Sequence, residues 1–291
     1  MQHIKKYQFK AEKKLQVEIV DLENLCQTAK DFLLVPHRTN FYHIFLFEAC
    51  QISHSVDFQS LDTQPNTLLF LSKDKVHQFD KNLAYKGKVL IFTAEFYCQS
   101  AHDKRFLESS ILFHDFFENL HFSIAEQMPV FTAICRQIDE ELQQPTDDIQ
   151  QALLKNYVHH FLLLAERHKR KQGFKEIQKD ANFEYLLLFK DLLEQNFVQL
   201  KKVSQYTEKL CITEKRLHQA THNVLGKTPK QMIDERILLE AKRLLIHETH
   251  SIKEIAYELG FDEPTNFIKY FKKHTQKTPI EFRNHYYNHL M

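Results

Sequence analysis

Near the C-terminus, Thr265, Asn266, Lys269, Lys272 and Lys273 fall on the outer face of one helical period, where hydroxyl, amide and ammonium groups make a surface that hydrogen-bonds and attracts anions. Phe267, Ile268 and Phe271 take the inner face, so the helix that carries these residues is amphipathic. A shorter helix has to precede it. Ser251 and Glu254 have capping-box spacing, which starts that helix at Ser251 with Ile252, Ile255, Ala256 and Leu259 on its apolar side. Gly260 closes it in the left-handed conformation, and Phe261 folds back on the apolar face. The second helix is expected to begin at Asp262, with Pro264 in its first turn, where a missing amide costs nothing. Helix, glycine turn and a helix with a polar, basic outer face form the helix-turn-helix pattern, whose second helix enters the major groove of DNA. A charged amphipathic helix alone is more often a solvated face. The small Ala256 where the helices cross, the glycine four residues on and a second copy of the pattern decide for the groove-reading unit.

Other chemistry is poorly represented. The chain has 18 histidines, but none are spaced H-x-H, and His247-Glu248-Thr249-His250 lacks the spacing of the H-E-x-x-H zinc motif. His247 instead reads as a helix-end residue, where partial positive charge is favourable. Paired carboxylates, a glycine-rich phosphate loop and a G-x-S-x-G elbow are missing, so no catalytic residue, metal site or cofactor is expected. Cys26, Cys50, Cys98, Cys135 and Cys211 are odd in number and scattered, which suits buried or free thiols in a reducing compartment. With no leader-like apolar core at the start and no apolar span of ~20 residues, the expected location is cytoplasmic, away from the membrane. The net charge of +1 hides an asymmetry: residues 201–291 hold 16 Lys and Arg against 11 Asp and Glu, a net of +5, which leaves −4 for residues 1–200. One end therefore suits nucleic acid and the other a different task.

The elements that position these residues divide the 291-residue chain in two. Up to about Phe92 the pattern is strand-like: Leu15, Val17 and Ile19 alternate with polar neighbours, followed by His43 to Phe47, Val56 and Phe58 around Asp57, Thr67 to Leu71, and Val89 to Phe92. Turn-like breaks at Asp62 to Asn66, Lys73 to Lys75 and Lys86 to Lys88 separate them, and the whole reads as a small sandwich or barrel. Helices follow at Val130 to Leu142 and Asp147 to Arg170, divided by Pro145. The second is apolar on more than one face and packs either as a core helix or on the barrel and a partner subunit together. His168 to Asp180 is a charged linker, with contact to DNA phosphates as the alternative.

From about Asn182, Phe183, Leu186, Leu187, Phe189 and Leu193 open another helix, and an internal repeat follows. Val203, Tyr206, Thr207, Leu210, Cys211 and Ile212 match Ile252, Ile255, Ala256, Leu259, Gly260 and Phe261 at an offset of 49, and Lys227-Thr228-Pro229 returns as Lys277-Thr278-Pro279 at an offset of 50. Both triplets open capped helices, because Gln231 and Glu281 stand three residues after the threonines. The helix from Pro229 to about His247 joins the two units and buries Ile233, Ile237, Ala241, Leu244 and Leu245.

With LGKTPKQMIDERILLEAKRLL, SIKEIAYELGFDEPTNFIKYFKKHT and TPIEFR in place, the C-terminal ~110 residues resemble the AraC/XylS family of bacterial transcription regulators. Two departures stand out: Cys211 occupies a turn that often holds Asn or Gly, and Gln276 a site that often holds glycine before the second KTP-like segment. PHRTNFYHIFLFEAC, PNTLLFLSKDKVHQF and GKVLIFTAEF are similar, less closely, to the family's cupin-like sensor domain. The fold implied is α+β: residues 1–178 as a β-rich, cupin-like barrel with dimerisation helices at about 130–172, then residues 183–291 as an all-α domain with helix-turn-helix motifs at about 203–225 and 252–275.

By the family pattern, Lys215, His218, Gln219 and His222 on a first recognition helix, Thr213 to Val224, read base edges, as do Thr265, Asn266 and Lys269 on the second. Asn and Gln pair with adenine, and Lys donates to guanine. Arg216, Arg236, Arg243, Lys272 and Lys273 suit phosphate. His37, Arg38 and Tyr42 are, by resemblance, effector-pocket candidates, with a structural loop as the alternative. The resemblance implies a homodimeric, cytoplasmic DNA-binding regulator, more an activator through RNA polymerase than a repressor, controlled by a small-molecule effector, and not an enzyme. A cupin-type metal-dependent enzyme and a nonspecific DNA-organising protein are the alternatives.

Overall fold

The computed structural model describes residues 4–9, 15–49, 52–113, 120–172 and 180–290. They fall into two compact units, within Ile4–Lys175 and Glu176–Met291. The first unit carries β1 (Lys5–Tyr7), β2 (Val17–Asp21), β3 (His37–Thr39), β4 (Tyr42–Phe47), β5 (Ile52–Val56), β6 (Gln59–Thr63), β7 (Thr67–Leu71), β8 (His77–Gln78), β9 (Gly87–Phe92) and β10 (His121–Ser123). They form two five-stranded sheets, in the orders β1-β3-β8-β5-β6 and β10-β7-β4-β9-β2. All pairings are antiparallel except β1 with β3.

Strand alternation on β4 separates two cores. Phe45 and Phe47 join Val56, Leu69, Leu71, Phe79, Tyr85 and Val89 in one cluster that draws on both sheets. Leu22 and Cys26 of α1 (Leu22–Thr28) and Leu33 of α2 (Lys30–Leu33) complete it. Ile44 and Leu46, on the other face of β4, join Leu68, Phe70, Leu90 and Phe92 against helical residues. Those come from α3 (Ala94–Tyr97), α4 (Ala101–Ser109), α5 (Met128–Leu142) and α6 (Gln150–Lys171). A central strand buried on both faces reads as an unbroken apolar run, which is why His43 to Phe47 shows no polar alternation.

Several expectations change in detail. Asp57 and Phe58 are not strand residues: both have positive φ, 45° and 72°, and make the two-residue turn between β5 and β6, as type I′ hairpins require. Gly87 is not in a turn either. It pairs with Phe47 in β9, where a Cβ would lie 1.9 Å from the Leu46 carbonyl oxygen. The charged stretch from His168 begins as helix, because α6 runs to Lys171. Its basic side chains have acceptors in their own unit: the His168 ring at 2.9 Å from the Ser123 carbonyl, Lys169 donating to the Ile111 carbonyl at 2.9 Å, and Arg170 on Glu166 at 2.7 Å. Residues 173–179 of that linker, and Cys50, lie outside the described residues. Among the described residues, Cys26, Cys98, Cys135 and Cys211 form no disulfide. On α6 the buried face is Leu154, Val158, Phe161, Leu162 and Ala165. Ile149, Leu153 and Leu163 remain 58%, 37% and 45% exposed on another face.

The second unit contains α7 (Ala181–Asn196), α8 (Val203–Lys209), α9 (Glu214–Leu225), α10 (Pro229–His247), α11 (Ile252–Glu258), α12 (Pro264–Thr275) and α13 (Pro279–Leu290). The sequence repeat is a repeat of geometry. After α8 the amides of Cys211 and Ile212 return to the Glu208 and Thr207 carbonyls at 3.1 and 3.0 Å; after α11 those of Gly260 and Phe261 return to Tyr257 and Ala256 at 2.9 Å each. Each is a Schellman closure, with its left-handed residue at Cys211 (φ 53°) or Gly260 (φ 74°). The ends of α9 and α12 match in the same way, at Gly226 (φ 67°) and Gln276 (φ 62°). α12 starts at Pro264 behind Glu263, two residues later than Asp262, because proline fits the first helical position.

Cys211 and Gln276 therefore hold conformations that cost an L-residue about 1–2 kcal/mol, partly offset by the greater unfolded-state entropy of glycine. Cys211→Gly and Gln276→Gly should each stabilise the C-terminal unit by about 0.5–1 kcal/mol. Urea unfolding of the full chain, followed by helical circular dichroism, measures the shift.

Candidate nucleic-acid interface

Burial sets the orientation of α9 and α12. Thr213 caps α9, its hydroxyl accepting from the Arg216 amide at 3.1 Å, and Leu217, Ala220 and Thr221 are buried. Lys215, His218, Gln219 and His222 are left exposed on the opposite side, with the two imidazoles stacked at 5.7 Å. On α12, Phe267 and Phe271 are fully buried beside Ile255, Ala256 and Leu259 of the preceding helix and turn and beside Ala241, Leu244 and Leu245 of α10. Thr265, Asn266, Lys269, Lys272 and Lys273 all reach solvent. The base-edge candidates thus gather on two exposed faces, one per helix pair.

Three polar contacts position the second pair, and residue spacing announced none of them. Asp234 of α10 accepts from the Tyr270 hydroxyl at 2.8 Å and from Lys230 at 2.7 Å, with His274 at 3.8 Å, which ties α12 to α10. Burial and the Asp234 carboxylate push the Tyr270 phenol upward, so it stays a donor. Lys201 donates to the carbonyls of Leu259 at 2.6 Å, Val198 at 2.8 Å and Phe197 at 3.3 Å, joining the ends of α7 and α11. Burial holds its ammonium down to about 8, while the three acceptors favour the charged form. Arg283 of α13 donates to the Leu245 and His250 carbonyls at 2.9 and 2.7 Å.

The arginines expected on phosphate are otherwise engaged. Arg236 is 13% exposed, bonded to Glu194 at 2.8 Å and Glu240 at 3.1 Å, with its guanidinium 3.9 Å from the Phe197 ring centre. Arg243 is 3% exposed and bonded to Glu240 at 3.1 Å. Both are corrected to structural roles, because a long helix between two cores buries its basic residues with a shared carboxylate instead of exposing them. Arg216 is half-buried, donating to the Asn182 side chain at 2.5 Å and lying over Tyr185 of α7. Lys272 and Lys273 keep open access to solvent.

The effector-pocket candidates do not converge. His37 is 1% exposed and its ring sits against His77, Phe32 and Phe79, in the layer between the sheets. Tyr42 stacks on Phe92 and meets Phe113, in the layer against the helices. Arg38 follows His37 on β3 and takes the other face of that strand.

A family model described as a helix-turn-helix domain matches residues 206–285. The HTH-type transcriptional activator RhaS of Salmonella schwarzengrund (strain CVM19633) is 27% identical over 122 residues, a match that spans 42% of this chain and 42% of that relative, less than half of its length. RhaS of Salmonella dublin is 20% identical over 249 residues, 85% of this chain and 86% of its own. The C-terminal unit is therefore similar to the helix-turn-helix domain of AraC-type transcriptional activators. A solved structure of ToxT from Vibrio cholerae is similar across 93% of this chain and 94% of its own, with 14% identity and a TM-score of 0.44. No helix among the described residues is long and apolar enough to cross a membrane. Cys211, at a turn where the resemblance expected Asn or Gly, and Gln276, where it expected glycine, both sit at positive φ, the conformation that glycine adopts without strain.

Gly260 is needed twice over. Its φ is +74°, and an added Cβ would lie 2.1 Å from the Val198 carbonyl oxygen. At Gly226, with φ +67°, an added Cβ meets nothing within 4 Å. Gly226→Ala should cost about 1 kcal/mol from backbone strain alone, and Gly260→Ala more than about 3 kcal/mol because the end of α7 has to move. Thermal melts of the two variants test this: equal losses would contradict the close approach of α11 to α7.

Proposed function

We propose that this protein is a sequence-specific DNA-binding transcription regulator, whose α8–α9 and α11–α12 pairs are two helix-turn-helix units reading successive major-groove segments of one DNA face. The observation that carries the reading is the pair of exposed polar faces, Lys215/His218/Gln219/His222 and Thr265/Asn266/Lys269, held in one unit by α10. Helices placed this way meet groove segments about one turn, ~34 Å, apart. Asn266 and Gln219 have the amide chemistry for adenine and Lys269 the donor for guanine. Lys272 and Lys273 supply phosphate contacts, which set affinity and salt dependence but not sequence.

In this reading the first unit is a cupin-like sensor domain for a small-molecule effector, and the chain acts as a cytoplasmic homodimer. Leu153 and Leu163 of α6 and Ile149 just before it, exposed on a face turned away from its own core, support pairing with a second copy. Effector binding shifts the population of arrangements that place the DNA-binding units on adjacent half-sites. Activation through RNA polymerase fits the name of the RhaS relatives as transcriptional activators.

Selection of bound sequences from random duplex DNA at fixed salt tests the reading, and an enriched site with two short elements about one turn apart is expected. Salt-sensitive binding without enrichment would leave a nonspecific DNA organiser as the better description. Asn266→Ala and Lys269→Ala should each reduce discrimination between the selected site and random DNA by about 1–3 kcal/mol. Lys273→Ala should weaken binding to both and lower the salt slope by about one. Fluorescence anisotropy across a salt series separates these outcomes, and equal losses on both DNAs for the first two variants would remove them from base reading.

A further inference from the structure

Four histidines meet in the layer between the two sheets, although they come from four different strands. His37, His43, His54 and His77 are 1%, 6%, 0% and 2% exposed. The His77 ring stands among the other three, with centroids 4.3 Å from His37, 5.0 Å from His43 and 5.3 Å from His54. His54 Nε2 and His77 Nδ1 are 3.2 Å apart, a hydrogen bond that needs one of the two nitrogens without its proton. His37 Nδ1 donates to the Val35 carbonyl at 2.9 Å, and His54 Nδ1 lies 3.4 Å from the Tyr85 hydroxyl. His43 Nδ1 and His77 Nε2 are buried without a hydrogen-bond partner.

The surroundings are aromatic: Phe32, Phe41, Phe45, Phe47 and Phe79 touch one or more of the rings. Among the described residues, the titratable groups facing the cluster are Tyr7 of β1, edge-on to His37, and Tyr85. Beyond β5, Asp57 pairs with Lys75 at 3.1 Å. Burial first, then the neighbouring imidazoles, hold His43 and His54 down to about 3. Burial holds His37 at about 4 and pushes His77 well below the ordinary imidazole range, with no carboxylate contributing to any of the four. The rings are not arranged as a metal centre: among the described residues no group of three or more His, Cys, Asp or Glu could hold an ion.

We propose that this cluster makes the N-terminal unit a proton-responsive element, in which acidification charges imidazoles that fit only as neutral rings and so loosens the packing between the two sheets. The inference is independent of DNA binding. A histidine whose folded pKa is depressed contributes no penalty above the unfolded value near 6.5; as pH falls below it, the unfolded chain takes up protons that the folded one refuses. Stability is lost from about pH 6.5 downward, through the window that ends near the folded values of about 4 and 3. Between about pH 7 and pH 5, each imidazole that stays neutral when folded shifts the opening equilibrium by roughly 25-fold.

Hydrogen–deuterium exchange of the full chain at pH 7 and pH 5, corrected for the intrinsic pH dependence of exchange, tests this. Peptides covering β3, β4, β5 and β8 are expected to lose protection by roughly 25-fold or more, while peptides covering α9 and α12 change much less. His43→Phe and His77→Leu, which remove the unpartnered nitrogens, should each shrink the acid effect on those strands by roughly 25-fold. Unchanged strand protection at pH 5, or an equal loss in the C-terminal helices, overturns the proposal. So does a full acid effect in both variants. If a variant fails to fold, the comparison of strands with helices within the unmodified chain still decides it.

Discussion

A helix offers a polar face to a partner only when its other face is held. Helices of 7 and 12 residues, the lengths of α11 and α12, are marginal in water by themselves, so their apolar sides must find a common support. α10 is that support. Ala241, Leu244 and Leu245 of this helix share one cluster with Ile255, Ala256, Leu259, Phe267 and Phe271. At about 1.5–3 kcal/mol for each fully buried large apolar side chain, this packing outweighs the single polar contacts around it. Those contacts decide direction: Asp234 fixes the register of α12 through Tyr270, and Lys201 fixes the approach of α11 to the end of α7.

In the N-terminal unit the corresponding constraint is β4, a central strand buried on both faces. The alternation that sends Phe45 towards one core sends Ile44 towards the other. It also carries His43 into the layer between the sheets. A buried polar atom without a partner costs about 1–3 kcal/mol, comparable to what a neighbouring phenylalanine contributes. Two such atoms, His43 Nδ1 and His77 Nε2, make this layer less stable than its aromatic content suggests.

Much of the C-terminal unit was legible as spacing. Caps, the glycine at 260, the KTP triplets and the apolar periods are local signals, and each acts within a few residues of itself. Thr228 and Gln231 exchange bonds as their spacing predicted, and so do Thr278 and Glu281. The face that α9 and α12 leave exposed followed from the same periods, because burying Leu217 or Phe267 leaves only one side free. Arg236 and Arg243 left the phosphate-facing set for two reasons: Arg236 meets Glu194 of another helix, which no spacing on α10 announces, and Arg243 is buried with Glu240, three residues away on α10 itself.

The sequence by itself determined the α+β order, the repeated helix pairs and the polar faces, since these rest on periodicity and capping within one segment. The tertiary structure alone decided which distant side chains meet. His37 and Tyr42 are five positions apart yet occupy separate layers, while His37, His43, His54 and His77 are scattered over four strands yet touch. Strand pairing across two sheets sets such neighbours, and no spacing along a single strand encodes it.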